Sequence, residues 1–253
     1  MTAKTLLVDG FNLIRRIYEA RPDAEQEIDD VIQASKQSLG RGLKQHPATH
    51  ACVVFDSHEL TWRHHLYGDY KAGRKPTPSP LLDNLSRFEE SFAELGVASL
   101  TVAGFEADDV IATLAVGLAA KNADAIILST DKGFLQLLSN HIKVFNHFEQ
   151  SELTHETVSS KYDVKVEQLT DYWAMAGDAS NNIKGVLKVG KKTAAALLKQ
   201  YAFLEDILRD DLAVATALKV QNHGEVALQC KQLVTLKTDV SLGINLKSLR
   251  LQK

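Results

Sequence analysis

Acidic side chains follow short apolar runs at four places in this chain. They are Asp9, Asp56, Asp131 and the group Glu106, Asp108 and Asp109. If those runs belong to one parallel sheet, their carboxyl ends share an edge and bring the carboxylates together. Two carboxylates about 4 Å apart repel by roughly 4 kcal/mol in a partly screened site. Because such oxygen donors suit Mg²⁺ or Mn²⁺, the pattern predicts a divalent-metal site that acts on phosphates.

Each acid taken singly has a simpler interpretation. An Asp at the end of a strand often caps the following helix, and the helix macrodipole favours acids in a first turn. Capping explains any one of these residues, but it explains poorly why four segments deliver acids to one edge. Metal binding is therefore the preferred interpretation of the set.

The elements that must position these acids read as an α/β pattern. Apolar strands are predicted at 4–8, 51–55, 97–102, 125–130 and 143–147. Helices are predicted at 24–45, 81–95, 106–121 and from Asp131 to Leu138, with 11–17 a short helix or loop. Continuous apolar strands alternating with helices predict a doubly wound, mainly parallel sheet.

From about Thr154 the strand signal disappears and the pattern becomes helical. The predicted helices are 158–163, 166–176, 191–201, 204–210 and 225–236. We therefore predict an α/β domain over 1–153 and a helical region over 154–253.

Composition describes an ordinary globular protein. Of 253 residues, 45% are hydrophobic and 24% charged, and the net charge is −3. The two cysteines, Cys52 and Cys230, have no zinc-site spacing and are predicted to be reduced, as in a cytoplasmic protein. No apolar run approaches the ~20 residues of a membrane span, and the first residues lead into a strand rather than a signal peptide. We expect no membrane partner.

Two basic segments could contact nucleic acid. The first, 62–75, mixes Arg, Lys, His, Tyr and Trp within an unusually long connection. That mixture suits phosphate contact with base stacking, and a solvated loop is an equal alternative. The second, 183–194, places Gly185 and Gly190 before a lysine-rich helix start, where N–H groups could receive a phosphate. Taken alone, it favours a glycine-closed turn with solvated lysines.

Seven ordered blocks together resemble the 5′-nuclease (flap endonuclease) family, and most closely its stand-alone members related to the nuclease domain of bacterial DNA polymerase I. The blocks are 7–13, 54–56, 70–74, 106–109, 129–133, 176–178 and 185–194. The resemblance implies a PIN-like α/β nuclease domain followed by a helix–three-turn–helix DNA-binding region. It also implies an arch or gateway over about 60–80.

The resemblance implies two divalent-metal sites, Mg²⁺ or Mn²⁺, of unequal strength. The first would use Asp9, Asp56, Glu106 and Asp108, with Asp109 shared or behind them. The second would keep only Asp131 and Asp178, because Gly133 and Asn181 stand where the family usually has Asp. We therefore expect the second ion to bind weakly.

Further contacts are implied by the same resemblance. Backbone carbonyls of a potassium (K⁺) site map to Met175, Ala176, Lys184, Val186 and Val189. DNA contacts map to Lys188, Val189, Gly190, Lys191, Lys192 and Thr193, and to Arg15 with its neighbour Arg16. Tyr70, Lys71 and Arg74 match residues that engage the displaced 5′ strand, and Lys71 and Arg74 would also position the scissile phosphate.

The expected function is structure-specific 5′-flap endonuclease activity on branched DNA by Mg²⁺-dependent phosphodiester hydrolysis. The alternative is a junction-binding protein with little or no nuclease activity, favoured by the incomplete second metal site. A PIN-like ribonuclease is a weaker third interpretation. Six histidines lack ligand spacing and are predicted to lie at the surface: His46, His50, His141, His147, His155 and His223. His64 and His65 could instead contact DNA. Trp62 and Trp173 are predicted to pack.

Overall fold

The computed structural model describes residues 3–23, 25, 27–211 and 213–252. The chain forms two compact units. The first contains the chain up to Thr61, Lys75–Glu152 and the segment from Lys237 onward, and the second contains Trp62–Arg74 and Leu153–Leu236. The predicted division at 153/154 differs from this one in two segments, 62–74 and 237–253.

The first unit is built on a six-stranded sheet with the strand order β3-β2-β1-β4-β5-β6. The strands are β1 Lys4–Asp9, β2 His50–Phe55, β3 Ala98–Thr101, β4 Asp124–Leu128, β5 Ile142–Asn146 and β6 Ser151–Leu153. The first five are joined by parallel pairing, as predicted. β6 was not predicted, because three residues carry too little periodicity.

Helices occupy both units. They are α1 Gly10–Glu19, α2 Ile28–Gln45, α3 Trp62–Leu66, α4 Ser79–Asp83, α5 Leu85–Ala93, α6 Ala107–Ala119, α7 His155–Tyr162, α8 Leu169–Ala176, α9 Lys191–Gln200, α10 Leu204–Arg209, α11 Ala215–Gln221 and α12 Gly224–Val234. Short 3₁₀ turns span Lys132–Leu137, Val166–Gln168, Ala179–Asn181 and Leu246–Leu249.

Several helix predictions need correction. The predicted helix 81–95 is divided at Asn84, whose side-chain amide bonds the Pro80 carbonyl. The segment after Asp131 is a 3₁₀ turn rather than an α-helix. The predicted helix 24–45 begins at Ile28, and its residues Ala24 and Gln26 lie outside the described residues. α3 and α11 were missed.

The core of the first unit lies against the sheet. Leu6, Val8, Val53 and Phe55 are buried in one cluster with apolar residues of α1, α2 and α5. Because side chains alternate along a strand, Leu7 and Ile127 face the other side. α6 packs on β1, β2 and β4. Helices therefore position the strand ends from both faces.

The C-terminal segment returns to the sheet rather than to the helical region. Arg250 forms an antiparallel bridge with His50, and the Leu251 N–H donates to the Thr49 carbonyl at 3.1 Å. The predicted placement of 237–253 differs because these long-range hydrogen bonds leave no mark in local sequence.

The first part of the predicted arch belongs to the helical unit. Arg63 is 2% exposed, and its guanidinium donates to the carbonyls of Leu233 (2.8 Å) and Thr235 (3.2 Å) at the end of α12. The Lys71 N–H donates to the Asn181 carbonyl at 2.9 Å. The negative end of the α12 dipole favours a buried cation there.

Over the residues described, no helix is long and apolar enough to cross a membrane.

Candidate active site

Asp9 ends the central strand β1 and is 8% exposed. Its Oδ1 accepts the Asn12 N–H at 3.1 Å, which caps α1, and its Oδ2 accepts the Ser129 hydroxyl at 2.9 Å. Ser129 follows β4, whose Leu128 is paired with Val8 of β1. Two neighbouring strand ends therefore fix the orientation of this carboxylate.

Asp56 and Asp131 also accept backbone hydrogen bonds. Asp56 Oδ1 accepts the Ala107 N–H at the start of α6 at 2.7 Å, and Asp131 Oδ1 accepts the Gly133 N–H at 2.6 Å. The capping interpretation is thus correct for one oxygen of Asp9 and of Asp131, whereas Asp56 bonds the start of a helix remote in sequence, whose N-cap is Glu106. Capping and metal binding are compatible, because a carboxylate has further acceptor capacity.

The acids at the start of α6 have different surroundings. Glu106 is 4% exposed and occupies the N-cap position, and Asp108 is half-buried. Asp109 is fully buried, and its Oδ1 accepts the Lys237 N–H at 2.9 Å. Asp109 therefore anchors the C-terminal segment, and its role in catalysis stays a prediction.

The carboxylates at this edge affect one another. Burial, followed by the negative charge of Asp56, raises the pKa of Asp9 from 3.8 to about 7. Hydrogen bonds from Asn12 and Ser129 lower that pKa, and the charge of Asp131 raises it further. Asp56 and Asp131 therefore lie close enough to Asp9 for their charges to act on it, and metal binding by these three acids stays a prediction.

The donor set consists of oxygen atoms, which suits Mg²⁺ or Mn²⁺. Within the described ranges, no group of three or more His, Cys, Asp or Glu side chains is already arranged to hold a metal ion. The chemistry of the donors nevertheless fits such an ion, and the set of oxygens that would bind it stays a prediction.

The raised pKa of Asp9 predicts a pH-dependent stability without metal. A folded-state pKa above the unfolded value means that the native state binds the extra proton, so stability falls as pH rises from about 4 to about 7. We expect Asp9→Asn to be more stable than wild type at pH 8 in EDTA, by at most about 4 kcal/mol, and the difference to vanish near pH 4. Urea unfolding at both pH values measures it.

The matched control is Asp124→Asn, at the amino end of β4, where the side chain is 49% exposed. Its effect on stability should not follow the same pH course. A pH-independent difference between wild type and Asp9→Asn would contradict the prediction. Added Mg²⁺ should stabilise wild type more than Asp9→Asn at pH 8.

Asp178 lies in the second unit and is 5% exposed. Its carboxylate accepts the Ser180 N–H (3.1 Å), the Ser180 hydroxyl (2.6 Å) and the Asn181 side-chain amide (2.9 Å). Protein donors thus compensate its charge locally. The Asn at position 181 supplies a hydrogen-bond donor where an Asp would add a second negative charge.

The segment 175–190 forms a tight backbone turn. Gly177 and Gly185 have φ of 80° and 70°, and a Cβ at Gly185 would lie 2.6 Å from the Met175 carbonyl oxygen. The carbonyls of Met175 and Val186 each accept one backbone N–H, from Val186 and Val189 respectively. Carbonyl oxygens keep a second lone pair. The predicted K⁺ ligation by this segment stays a prediction.

Lys188 has a φ of 62°, a left-handed conformation that glycine adopts more readily than other residues. α9 follows with Gly190 at its N-cap and no side-chain cap. The first N–H groups of α9, at Lys191, Lys192 and Thr193, therefore have no partner within the helix. Both lysines are exposed. This helix start can receive a phosphate.

The predicted DNA-contacting side chains differ in availability. Arg15 forms an ion pair with Glu19 at 2.7 Å, and Arg16 is exposed. Tyr70 is only 5% exposed and packs edge-on against His64, so its ring belongs to the packing of the second unit. The Lys71 ammonium lies 5.3 Å from that ring, and Arg74 is exposed.

Sequence reasoning missed several residues around Asp9. Asn12 and Ser129 orient its carboxylate, and the Asn12 amide donates to the Thr130 hydroxyl at 2.9 Å. Their signal was present, because both lie within blocks that carry the family resemblance. His147, predicted at the surface, is 6% exposed and bonds Ser38 at 2.8 Å, so that prediction was wrong. Trp173 is buried, as predicted.

Comparison with known proteins gives matches along the chain. Residues 4–163 match the N-terminal resolvase-like domain of 5′-3′ exonucleases, and 164–253 match their C-terminal SAM-fold domain. The flap endonuclease Xni of Psychromonas ingrahamii is 41% identical over 256 residues, covering 99% of this chain and 98% of that protein. The Colwellia psychrerythraea flap endonuclease Xni is 44% identical over 269 residues, covering 99% and 93%.

A solved structure shares the fold. The bacteriophage T5 flap endonuclease, in a pseudo-enzyme-product complex with DNA and metal ions, matches with a TM-score of 0.74 and 22% identity. The match covers 93% of this chain and 90% of that one.

Proposed function

Because this chain belongs to the 5′-3′ exonuclease family, and within it to the flap endonucleases named Xni, we propose that it cuts branched DNA at 5′ flaps with the help of a divalent metal ion. The family assignment confirms the predicted resemblance and fold class. The protein is a nuclease that hydrolyses phosphodiester bonds of DNA. The alternative of a binding protein without nuclease activity is not retained.

Two observations support the metal proposal: the charges of Asp56 and Asp131 act on Asp9, and Asp56 bonds the Ala107 N–H, between Glu106 and Asp108 in the chain. Asp9, Asp56, Glu106 and Asp108 would hold Mg²⁺ or Mn²⁺. A bound ion of this kind supplies Lewis-acid stabilisation of the phosphate and lowers the pKa of its water. Asn12 and Ser129 hold the Asp9 carboxylate in one orientation.

Cationic side chains would place the scissile phosphate. Lys71 and Arg74 are the candidates, because both belong to the segment that matches the arch. Arg74 is exposed and Lys71 is half-buried. Their charges would orient the phosphate and offset negative charge that develops in the transition state.

A second divalent ion would bind weakly in our proposal. Of its expected ligands the chain keeps Asp131 and Asp178. The Asp178 carboxylate already accepts hydrogen bonds from Ser180 and Asn181, which an ion would have to replace. The Asp131 carboxylate caps the Gly133 N–H.

The helical unit would bind the duplex part of the substrate. K⁺ coordinated by the carbonyls of Met175, Ala176, Lys184, Val186 and Val189 would contact one phosphate. The start of α9 would contact another through its N–H groups and through Lys191 and Lys192. These contacts read the backbone and not the base sequence.

The double variant Lys191→Gln/Lys192→Gln should weaken DNA binding uniformly across sequences. Each lost phosphate contact makes the negative slope of log K (the DNA association constant) against log salt concentration shallower by about 1. Fluorescence anisotropy over a series of KCl concentrations measures this slope. Lys121→Gln, at an exposed lysine of the first unit, is the control. An unchanged slope in the double variant would contradict the assigned contacts.

The experiment that tests the proposed function compares cleavage of a 5′-flap duplex, a nicked duplex, single-stranded DNA and an RNA flap. Each is incubated with Mg²⁺, with Mn²⁺ or with EDTA. We expect metal-dependent cleavage near the flap junction and little cleavage of RNA. Cleavage that persists in EDTA, or an equal rate on RNA, would reject the proposal.

A further inference from the structure

Phe148 is a large aromatic side chain presented at the carboxyl end of β5, where it is 38% exposed. The preceding turn holds it in place, because Asn146 Oδ1 accepts the N–H groups of Phe148 (3.2 Å) and Glu149 (3.1 Å). The His147 ring packs edge-on against it at 5.8 Å between centroids. A single exposed aromatic is ordinary at a protein surface. The residues around Phe148 therefore have to indicate whether it has a function.

Those neighbours belong to the network around Asp9. Phe148 lines a crevice together with Asn12, Ser129 and Thr130. Asn12 and Ser129 are the residues that donate hydrogen bonds to the Asp9 carboxylate. The crevice measures about 10 Å³, which is room for roughly one water molecule. A nucleobase therefore cannot enter the crevice, but it can stack on the exposed part of the Phe148 ring.

Arg16 supplies a cation beside this ring. The guanidinium carbon lies 5.5 Å from the Phe148 centroid, within the ~6 Å at which a cation is attracted to a ring face. In the described part of the chain, Arg16 has no carboxylate partner, whereas Arg15 is paired with Glu19. Because Arg16 is exposed and an exposed cation–π contact is weak, the guanidinium can leave the ring and move to a phosphate.

We propose that Phe148 and Arg16 form a nucleobase-stacking subsite beside the scissile phosphate. A base of the DNA stacks on the Phe148 ring, and Arg16 moves from that ring to the phosphate of the same nucleotide. Stacking on an aromatic ring tolerates any base, so this subsite fits an enzyme that reads DNA structure rather than sequence. The inference rests on the proposed function, because it assumes that DNA is cut at this edge of the sheet.

The test pairs Phe148→Leu with abasic DNA. Flap substrates carry one abasic site at each position flanking the cleaved bond, and affinity is measured by anisotropy in EDTA. We expect wild type to lose about tenfold in affinity at one position. Phe148→Leu should bind intact DNA about tenfold more weakly than wild type does. An abasic site at that same position should not weaken its binding further. Phe148→Tyr, which keeps the ring, should bind within about twofold of wild type.

Two further variants complete the design. Arg16→Gln should weaken DNA binding and make the negative slope of log K against log salt concentration shallower by about 1. Phe203→Leu, at a 45% exposed ring of the helical unit, is the matched control and should bind like wild type. Thermal unfolding of each variant separates a loss of folding from a loss of contact. If Phe148→Leu unfolds, the affinities of Phe148→Tyr and Arg16→Gln decide whether the subsite exists.

The inference is overturned if Phe148→Leu binds intact DNA as wild type does. The inference is also overturned if the loss of affinity caused by Phe148→Leu adds to the loss caused by the abasic site at every position. If wild type fails to cut flaps, the proposed function fails by itself. The anisotropy series still decides whether the ring contacts a base.

Discussion

Replacing Asp9 by Asn is expected to lower the rate of metal-dependent flap cleavage by about 10³-fold or more. The substitution removes one negative charge at the end of β1 and keeps an oxygen that can accept the Asn12 N–H. Charge stabilisation by a catalytic metal is worth several kcal/mol, which corresponds to a loss of this order. Single-turnover cleavage of a 5′-flap substrate in Mg²⁺ measures it.

DNA affinity separates loss of chemistry from loss of binding. In EDTA, Asp9→Asn should bind the flap at least as tightly as wild type, because one repulsive charge near the phosphates is gone. Asp124→Asn makes the same chemical change at the amino end of the same sheet, since Asp124 pairs with Lys4 across β1 and β4. It should cut at the wild-type rate. Full activity in Asp9→Asn would remove the metal proposal.

Lys231→Met is expected to destabilise the helical unit by about 3–5 kcal/mol. The Lys231 ammonium contacts Asp171 Oδ1 at 2.6 Å and Glu205 Oε1 at 2.7 Å. Asp171 is fully buried. Burial raises the pKa of Asp171, and Lys231 opposes that rise. Without the lysine, the donor that remains to Asp171 among the described residues is the Leu204 N–H, at 3.0 Å. Urea unfolding at neutral pH measures the loss.

The double variant Asp171→Asn/Lys231→Met should recover most of that stability, because the buried charge is removed while an acceptor for the Leu204 N–H remains. In Lys231→Met alone the deficit should shrink as pH falls, since the Asp171 pKa is raised further and the neutral form becomes accessible. The control is Lys199→Met, at an exposed pair with Asp163, where a change below about 1 kcal/mol is expected. Equal losses in both lysine variants would contradict the buried-pair account.

The strands and the order of the acids could be predicted because both are local features. Buried parallel strands are continuous apolar runs, and the acids follow them directly in the chain. The errors have two causes. The predicted helix 81–95 is interrupted at Asn84, whose amide bonds the Pro80 carbonyl four residues earlier, a local detail that the apolar pattern does not record. Arg250 joins the sheet through His50, a contact between residues remote in sequence. Tyr70 was predicted to contact DNA because it lies in a segment rich in basic and aromatic residues, yet its ring is buried.

The amino-acid sequence by itself determined the fold class, the family and the set of acids at the strand ends, because strand periodicity and motif order are written along the chain. Only the tertiary structure determined the burial, the hydrogen-bond partners and the charged neighbours of those acids. It buried Asp9 beside Asp56, turned Asp109 to the Lys237 backbone, and placed Phe148 and Arg16 at the same edge. The physical reason is that burial, charge coupling and ring contacts depend on distances between residues remote in sequence, which no local pattern records.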